Sequence, residues 1–303
     1  MSDAILRLSV DDVWVALADV DAVAVVAEEL IGRTVGTRID DARPIAEWTG
    51  RGAGGPGAGM VVVEHPATGV RCVLSGSSLR MARSAALTAL ATRELLMPGG
   101  VTVALLGATP ATLSQLALIA RCVPDISHVA IYSPNGTRAG LPARLVEQLE
   151  LSGIALSVAR SLTTTVFGAN LVVAGEETAP SDLRRIRHAD LARDTVLVNA
   201  TGHDLPADLV DRVGDRYVDD LALLADNKDR YFVTAHLKAA RDHTTFAPRI
   251  AADLGQLLVD GHFLREQHGR PVLVELLSTD QLSMPLALRI LETALRRRLG
   301  SWL

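Results

Sequence analysis

The sequence predicts an α/β protein built on a doubly wound parallel sheet, and three observations carry that prediction. Apolar strand-like runs alternate with helical segments through the middle of the chain, the pattern of a parallel sheet covered on both faces. Within that region residues 100–137, GVTVALLGATPATLSQLALIARCVPDISHVAIYSPNGT, read as strand, small-residue turn, helix and strand. Such a unit of about 30 residues opens a nucleotide-binding sheet. The composition is that of a packed interior, 49% hydrophobic and 21% charged over 303 residues, enough for one large or two ordinary domains.

From the N-terminus, Ile5 to Leu8 starts as a strand, and Ser9 is placed to cap a helix over DDVWVALADVDAVAVVAEELI. Asp11 and Asp12 fall in its first turn, where carboxylates favour the helix dipole. GRGAGGPGAG (residues 50–59) offers no side chain for a core and reads as a loop or lid. Met60 to Glu64 and Val70 to Leu74 pair around a turn as an antiparallel hairpin. Apolar positions spaced by three and four predict a helix from Ser77 to Leu96, ended by Pro98-Gly99-Gly100, the predicted domain boundary.

Beyond it come a strand at Val101 to Leu106, a helix over Ala111 to Cys122 and a strand at His128 to Tyr132. A helix over Leu141 to Leu151 and strands at Ala155 to Val158, Leu171 to Ala174 and Val196 to Asn199 follow. Tyr217 to Asp219 is predicted as the last strand, with helical segments at Leu221 to Arg230, Ala235 to Arg241 and Pro248 to Val259. Val272 to Leu276 is one more apolar run, and Pro285 to Leu299 is an amphipathic helix predicted to return to the N-terminal portion. The predicted architecture is a Rossmann-type sheet over residues 99–270 and a smaller discontinuous α+β domain, for substrate binding and dimerisation, from 1–98 and 271–303.

Net charge is −5, and the longest basic run, Arg296 to Arg298, sits where it favours the dipole of the last helix. Nothing asks for nucleic acid, which needs a dense basic face. Cys72 and Cys122 lie in apolar segments without metal-like spacing and are predicted as buried thiols in a reducing compartment, with no metal site. Early acids, Asp3, Asp11 and Asp12, argue against a signal peptide, and no apolar run reaches the roughly 18 residues that span a bilayer. A cytoplasmic protein without a membrane partner is expected.

A dinucleotide fingerprint wants G-x-G-x-x-G/A, and here those positions hold Gly107, Thr109 and Thr112. With Ala108 and Ala111 they form the candidate phosphate loop, although Pro110 removes one amide. The loop by itself fits a working cofactor site and a lost one equally. After the second strand, Tyr132-Ser133-Pro134-Asn135-Gly136 holds no acid for a ribose 2′-hydroxyl. Ser133, Asn135, Thr137 and Arg138 are suited to a 2′-phosphate, which favours NADP over NAD, and are equally ordinary turn residues.

Five segments, in order, resemble the ornithine cyclodeaminase and mu-crystallin family of NAD(P)-dependent enzymes. They are Ile5 to Leu30; HPATGVRCVLSG; LRMARSAALTALA, similar to L-T-A-x-R-T-A-A-x-S-A-L-A; NATGHD, similar to N-A-x-G-x-D; and ADLGQLLVDG with ELLSTDQLSMPLA. The resemblance implies that Arg83 binds a substrate carboxylate through a bidentate fork; the alternative is an arginine paired to a neighbouring carboxylate. It implies that Asp204 is the catalytic acid/base, where a loop aspartate is otherwise a helix cap. His203 is a second candidate proton carrier or an exposed loop residue, and Thr201 of the same loop is a candidate cofactor contact.

Several positions depart from the family pattern. Ser75 stands where an acid is usual, and Leu205, Pro206 and Ala207 replace Pro-Gly-Lys after the aspartate. The family's active-site lysine has no counterpart, because the chain's two lysines are Lys228 and Lys238; Arg38, Arg43 or Arg51 would have to supply positive charge there. The activity implied is therefore an NAD(P)-dependent oxidation or reduction at an amino-acid C–N bond other than ornithine cyclisation. Imino-acid reduction, or oxidative cleavage of an N-substituted amino acid in a specialised biosynthetic pathway, fits. The alternatives are a cofactor-free amino-acid lyase or hydrolase and a non-catalytic binding protein. A homodimer is implied, with the apolar hairpin as its face.

Overall fold

The computed structural model describes residues 5–36, 47–48, 59–136, 141–242, 250–261, 269–277 and 282–303. In chain order the elements are β1 (Ile5–Arg7), α1 (Val10–Leu17), α2 (Ala22–Thr34), β2 (Glu47–Trp48), β3 (Met60–Glu64), β4 (Arg71–Ser75), α3 (Gly76–Leu95), β5 (Val101–Leu106) and α4 (Pro110–Cys122). There follow β6 (Ile126–Tyr132), α5 (Ala143–Leu151), β7 (Ala155–Ala159), α6 (Leu162–Val166), β8 (Leu171–Ala174), α7 (Pro180–Leu183), β9 (Val196–Asn199), α8 (Ala207–Arg212) and β10 (Arg216–Val218). The chain ends with α9 (Tyr231–Asp242), β11 (Ala252–Asp253), α10 (Leu254–Asp260), β12 (Val272–Glu275), α11 (Ser283–Arg297) and β13 (Ser301–Trp302). Contacts divide it into two units, Met1–Ala86 with Thr279–Leu303, and Leu87–Ser278.

The first unit holds a mixed sheet of order β13-β1-β4-β3-β2, with β3 and β4 antiparallel as the hairpin pattern predicts. Ser9 caps α1 in a capping box: its hydroxyl accepts from Asp12 N at 3.1 Å and Asp12 Oδ2 accepts from Ser9 N at 2.9 Å. The single helix predicted after Ser9 is two helices. Asp21 ends the continuity by accepting from Ala24 N at 3.0 Å, because a short acidic side chain competes with the backbone ladder and prefers a cap. The last helix, α11, packs on α1, α2 and β3 and buries Leu286, Ile290, Leu291 and Ala294. Burial of each of the two leucines and the isoleucine contributes about 1.5–3 kcal/mol. Arg297 in its last turn pairs with Asp19.

The second unit holds an eight-stranded sheet of order β11-β10-β12-β9-β8-β5-β6-β7, parallel at every pairing. From β5 the chain builds outward through β6 and β7, then returns to lay β8 on the other side of β5. The strand order therefore reverses between β5 and β8, and in doubly wound sheets the carboxyl ends at such a reversal are where ligands bind. Strands buried on both faces are predominantly apolar, and β8 and β9 are buried at every residue, with Asn199 at the end of β9 the polar exception in these two strands.

Three expectations are corrected here. Val272–Glu275 is not part of the N-terminal unit but is inserted as β12 between β9 and β10. Consequently the predicted last strand, now β10, is followed by two more strands of the same sheet. A short apolar run looks alike in either sheet, which is why spacing did not place it. The unit boundary falls inside α3, after Ala86, and not at Pro98-Gly99-Gly100. Beyond that point α3 is tied to α4, where Gln115 Nε2 donates to Thr88 Oγ1 at 3.3 Å.

Two local details also differ. Leu221–Ala225 is a 3-10 turn, with α9 beginning at Tyr231. Cys72 is buried, with its thiol pushed up to about 12 by burial, whereas Cys122 is only half-buried. Among the described residues no helix is long and apolar enough to cross a membrane.

Candidate active site

At the carboxyl end of β5 the chain turns through Gly107, whose φ of 110° is a conformation that side-chain-bearing residues rarely adopt. Gly107 N donates to Tyr132 O at 3.1 Å, and Thr178 Oγ1 donates to Leu106 O at 2.7 Å. Thr109 then caps α4: Thr112 N donates to Thr109 Oγ1 at 3.3 Å, Thr109 N donates to Thr112 Oγ1 at 3.2 Å, and the two hydroxyls lie 2.5 Å apart. The loop therefore satisfies two of its own amides, and Thr112 is buried. Gly107, Ala108 and Thr109 remain half-exposed. A half-open glycine turn leading into a helix N-terminus, with no carboxylate from Gly107 to Thr112, fits the charge of a pyrophosphate, although the Thr109 and Thr112 hydroxyls are engaged within the loop.

At the next strand end, Ser133 N donates to Ala159 O at 2.9 Å and Gly136 N closes the turn on Ser133 O at 2.8 Å. Asn135 is exposed. Arg138 lies outside the described residues, as do Thr137, Arg38, Arg43 and Arg51.

A dense polar network stands at the carboxyl end of β9. Asn199 is fully buried; its Nδ2 donates to Glu275 Oε2 and to His203 O, both at 2.9 Å. Its Oδ1 accepts from Thr201 N at 3.2 Å and from Thr201 Oγ1 at 2.7 Å, and His203 N donates to Thr201 Oγ1 at 3.0 Å. The loop is thus tied to its strand by one asparagine.

Arg230, just before α9, braces the same loop. Its Nε donates to Asp204 Oδ1 at 3.0 Å, and its Nη2 donates to His203 O at 2.9 Å and to Glu275 Oε2 at 2.8 Å. The guanidinium stands 5.2 Å from the Phe232 ring centre, a cation–π contact. Tyr231 N adds a second donor to Asp204 Oδ1 at 3.1 Å. Both bonds fall on Oδ1, and the Asp204 side chain is 45% exposed.

Glu275 is the unusual member. Burial pushes its carboxyl up to about 7, outweighing the pull of Arg230 and Asn199, and the nearby Asp204 charge acts in the same direction as burial. Its Oε1 is buried and accepts no hydrogen bond among the described residues. Neither Glu275 nor Arg230 was singled out from the sequence. The signal was an acid within the apolar run VLVELL, since an acid in a two-face-buried strand must find a partner.

Arg83 belongs to the first unit, is 1% exposed and donates from Nη1 to Ser283 Oγ at 2.7 Å. A cavity of about 520 Å³ in the second unit lies among Met97, Val101, Val123, Asp125 and Leu257. That is the amino end of β5, whereas the functional ends of such a sheet are the carboxyl ends, so the cavity is not the site described above.

The sheet order, with the glycine turn after β5 and the polar loop after β9 at carboxyl ends of its strands, defines a Rossmann-type α/β protein. The model of the Ornithine cyclodeaminase/mu-crystallin family matches residues 56–243, and the chain belongs to that family. No curated protein sequence matches it. Among solved structures it is similar to an archaeal alanine dehydrogenase dimer with bound NAD, at TM-score 0.71 and 16% identity over 99% of each chain. It is similar to Thermococcus litoralis Δ1-pyrroline-2-carboxylate reductase in complex with NADH and L-proline, at TM-score 0.68 and 13% identity, over 98% of this chain and 99% of that one. It is also similar to the iminosuccinate reductase of Paracoccus denitrificans in complex with NAD+, at TM-score 0.68 and 14% identity, over 99% and 98%. At these identities the likeness is one of fold.

Proposed function

We propose that the protein is an NAD(P)-dependent oxidoreductase acting at the C–N bond of an amino acid. Its reaction is reduction of an imino acid or oxidative cleavage of an N-substituted amino acid, in a specialised biosynthetic pathway. The observation that carries this reading is the braced loop after β9, in which Arg230 and Tyr231 N both hold Oδ1 of a half-exposed aspartate, whose Oδ2 accepts no hydrogen bond among the described residues. A carboxylate fixed in this way suits repeated proton transfer.

A bound nicotinamide nucleotide supplies or accepts a hydride at the substrate Cα. Gly107, Ala108, Thr109 and Ala111 are assigned its pyrophosphate, and Ser133 and Asn135 its ribose. In the reductive direction Asp204 delivers a proton to the imine nitrogen as Cα is reduced. In the cleaving direction the imine formed by oxidation takes up water, with Asp204 removing the water's proton, and splits into a 2-oxo acid and an amine. His203 relays the proton to solvent. Arg83 is assigned the substrate carboxylate on the family resemblance, and its burial favours a fixed guanidinium. The reading includes a cytoplasmic homodimer joined through β3 and β4, whose Met60, Val61 and Val62 are half-exposed.

The test is nicotinamide absorbance during incubation with cyclic imino acids, with 2-oxo acid and amine mixtures, and with N-carboxyalkyl amino acids. Turnover of one class supports the reading; binding of nucleotide without turnover of any class contradicts it. A second reading, a cofactor-free lyase or hydrolase or a binding protein on the same fold, is favoured by one observation. The Thr109–Thr112 pair already occupies two amides of the phosphate loop.

A further inference from the structure

Two adjacent strand ends meet beyond β6 and β7. Ser133 N is hydrogen-bonded to Ala159 O, so the turn at Ser133–Gly136 is fixed against the end of β7. Arg160, the next residue, lays its side chain across Gly136. A methyl group placed on that glycine would stand 2.5 Å from Arg160 Cγ and 2.8 Å from Cδ, closer than packed carbons approach. The turn also has a φ of 62° at Gly136. Glycine meets both demands without displacing the arginine stem, which any larger residue would have to push aside.

Arg160 is exposed and makes no ion pair or hydrogen bond among the described residues. The turn beneath it, Tyr132 to Gly136, carries no carboxylate. In doubly wound folds a carboxylate at this strand end holds a free ribose 2′-hydroxyl, and an arginine nearby takes a 2′-phosphate. A guanidinium keeps its charge at any working pH and meets phosphate oxygens with a matching fork.

We propose that Arg160 is the specificity-determining residue of the cofactor site: from its seat on Gly136 it binds the 2′-phosphate of NADP(H) and sets preference for it over NAD(H). The assignment rests on the dinucleotide reading given above. Ser133 and Asn135 sit on the same turn and add neutral donors, and neither supplies charge.

The experiment is calorimetric titration of NADPH and NADH into wild type, Arg160→Ala and Arg160→Lys, with adenosine 2′,5′-bisphosphate and 5′-AMP as fragments. Wild type is expected to bind NADPH at least about tenfold tighter than NADH, and Arg160→Ala to weaken NADPH by about 10- to 100-fold while NADH changes by less than about twofold. Arg160→Lys should fall between, and the bisphosphate should bind wild type more tightly than 5′-AMP. Equal affinity of wild type for both nucleotides overturns the assignment, as does an Arg160→Ala variant that weakens both alike, which would mark a contact with adenine. Failure of wild type to bind either nucleotide overturns the dinucleotide reading and the assignment together.

Discussion

Arg230 Nη2 donates to Glu275 Oε2 at 2.8 Å, and the side chains are only 8% and 2% exposed. Arg230 also holds Asp204 and the His203 carbonyl, so one guanidinium links a buried strand of the sheet to the proposed catalytic loop. Removing a buried counter-ion leaves an uncompensated charge, which costs about 3–5 kcal/mol. Arg230→Ala should lose stability toward that scale in urea unfolding above about pH 8, where Glu275 is ionised in wild type, and lose less at lower pH, where the carboxyl takes up a proton. Arg230→Met combined with Glu275→Leu should recover most of it, since no charge is then left behind. Equal destabilisation of the single and double variants would show that packing, and not charge, explains the loss.

The Glu275 carboxyl titrates near 7 in the folded protein against a usual value near 4.5. The folded state therefore holds the proton more tightly than the unfolded chain. This contribution is fully present below about pH 4.5 and is lost as pH rises through about 7, a change of about 3 kcal/mol. Wild type should lose stability relative to Glu275→Gln between pH 5 and 8, read from unfolding midpoints at each pH. Parallel profiles for the two proteins would remove Glu275 as the titrating group.

Asp204 is half-exposed, so Asp204→Asn should fold normally. Loss of a positioned acid/base costs about 10²- to 10⁴-fold in rate. Turnover with the substrate found by the absorbance screen is expected to fall within that range, with little change in nucleotide affinity. A fall of less than about tenfold would move the proton-transfer role elsewhere, with His203→Gln as the next variant to measure.

Much of the larger sheet was legible because strands covered on both faces must be largely apolar, and VTVALL, LVVA and VLVN, with at most one polar residue each, meet that demand locally. Ser9 was legible as a cap for the same local reason. What spacing did not supply was the choice of sheet: VLVE satisfies either, and only pairing with β9 and β10 decides. The helix break before Asp21 was hidden by unbroken apolar periodicity on both sides of it. In the candidate site, the Asn199–Asp204 loop was visible through its resemblance to a family motif. Its brace was not, since Arg230 and Glu275 are 45 residues apart and chain distance carries no record of an ion pair. The role proposed for Arg160 was out of reach likewise, because it depends on Gly136 at a neighbouring strand end.

The central claim is that the Gly107 turn serves a living cofactor site, and the most direct measurement is nucleotide titration of wild type against Gly107→Trp, with circular dichroism to confirm that both are folded. The account predicts saturable binding of NADPH to wild type and its loss in the variant, whose indole would fill the turn at a φ suited only to glycine. Absence of binding by folded wild type, or unchanged binding by the variant, would contradict it.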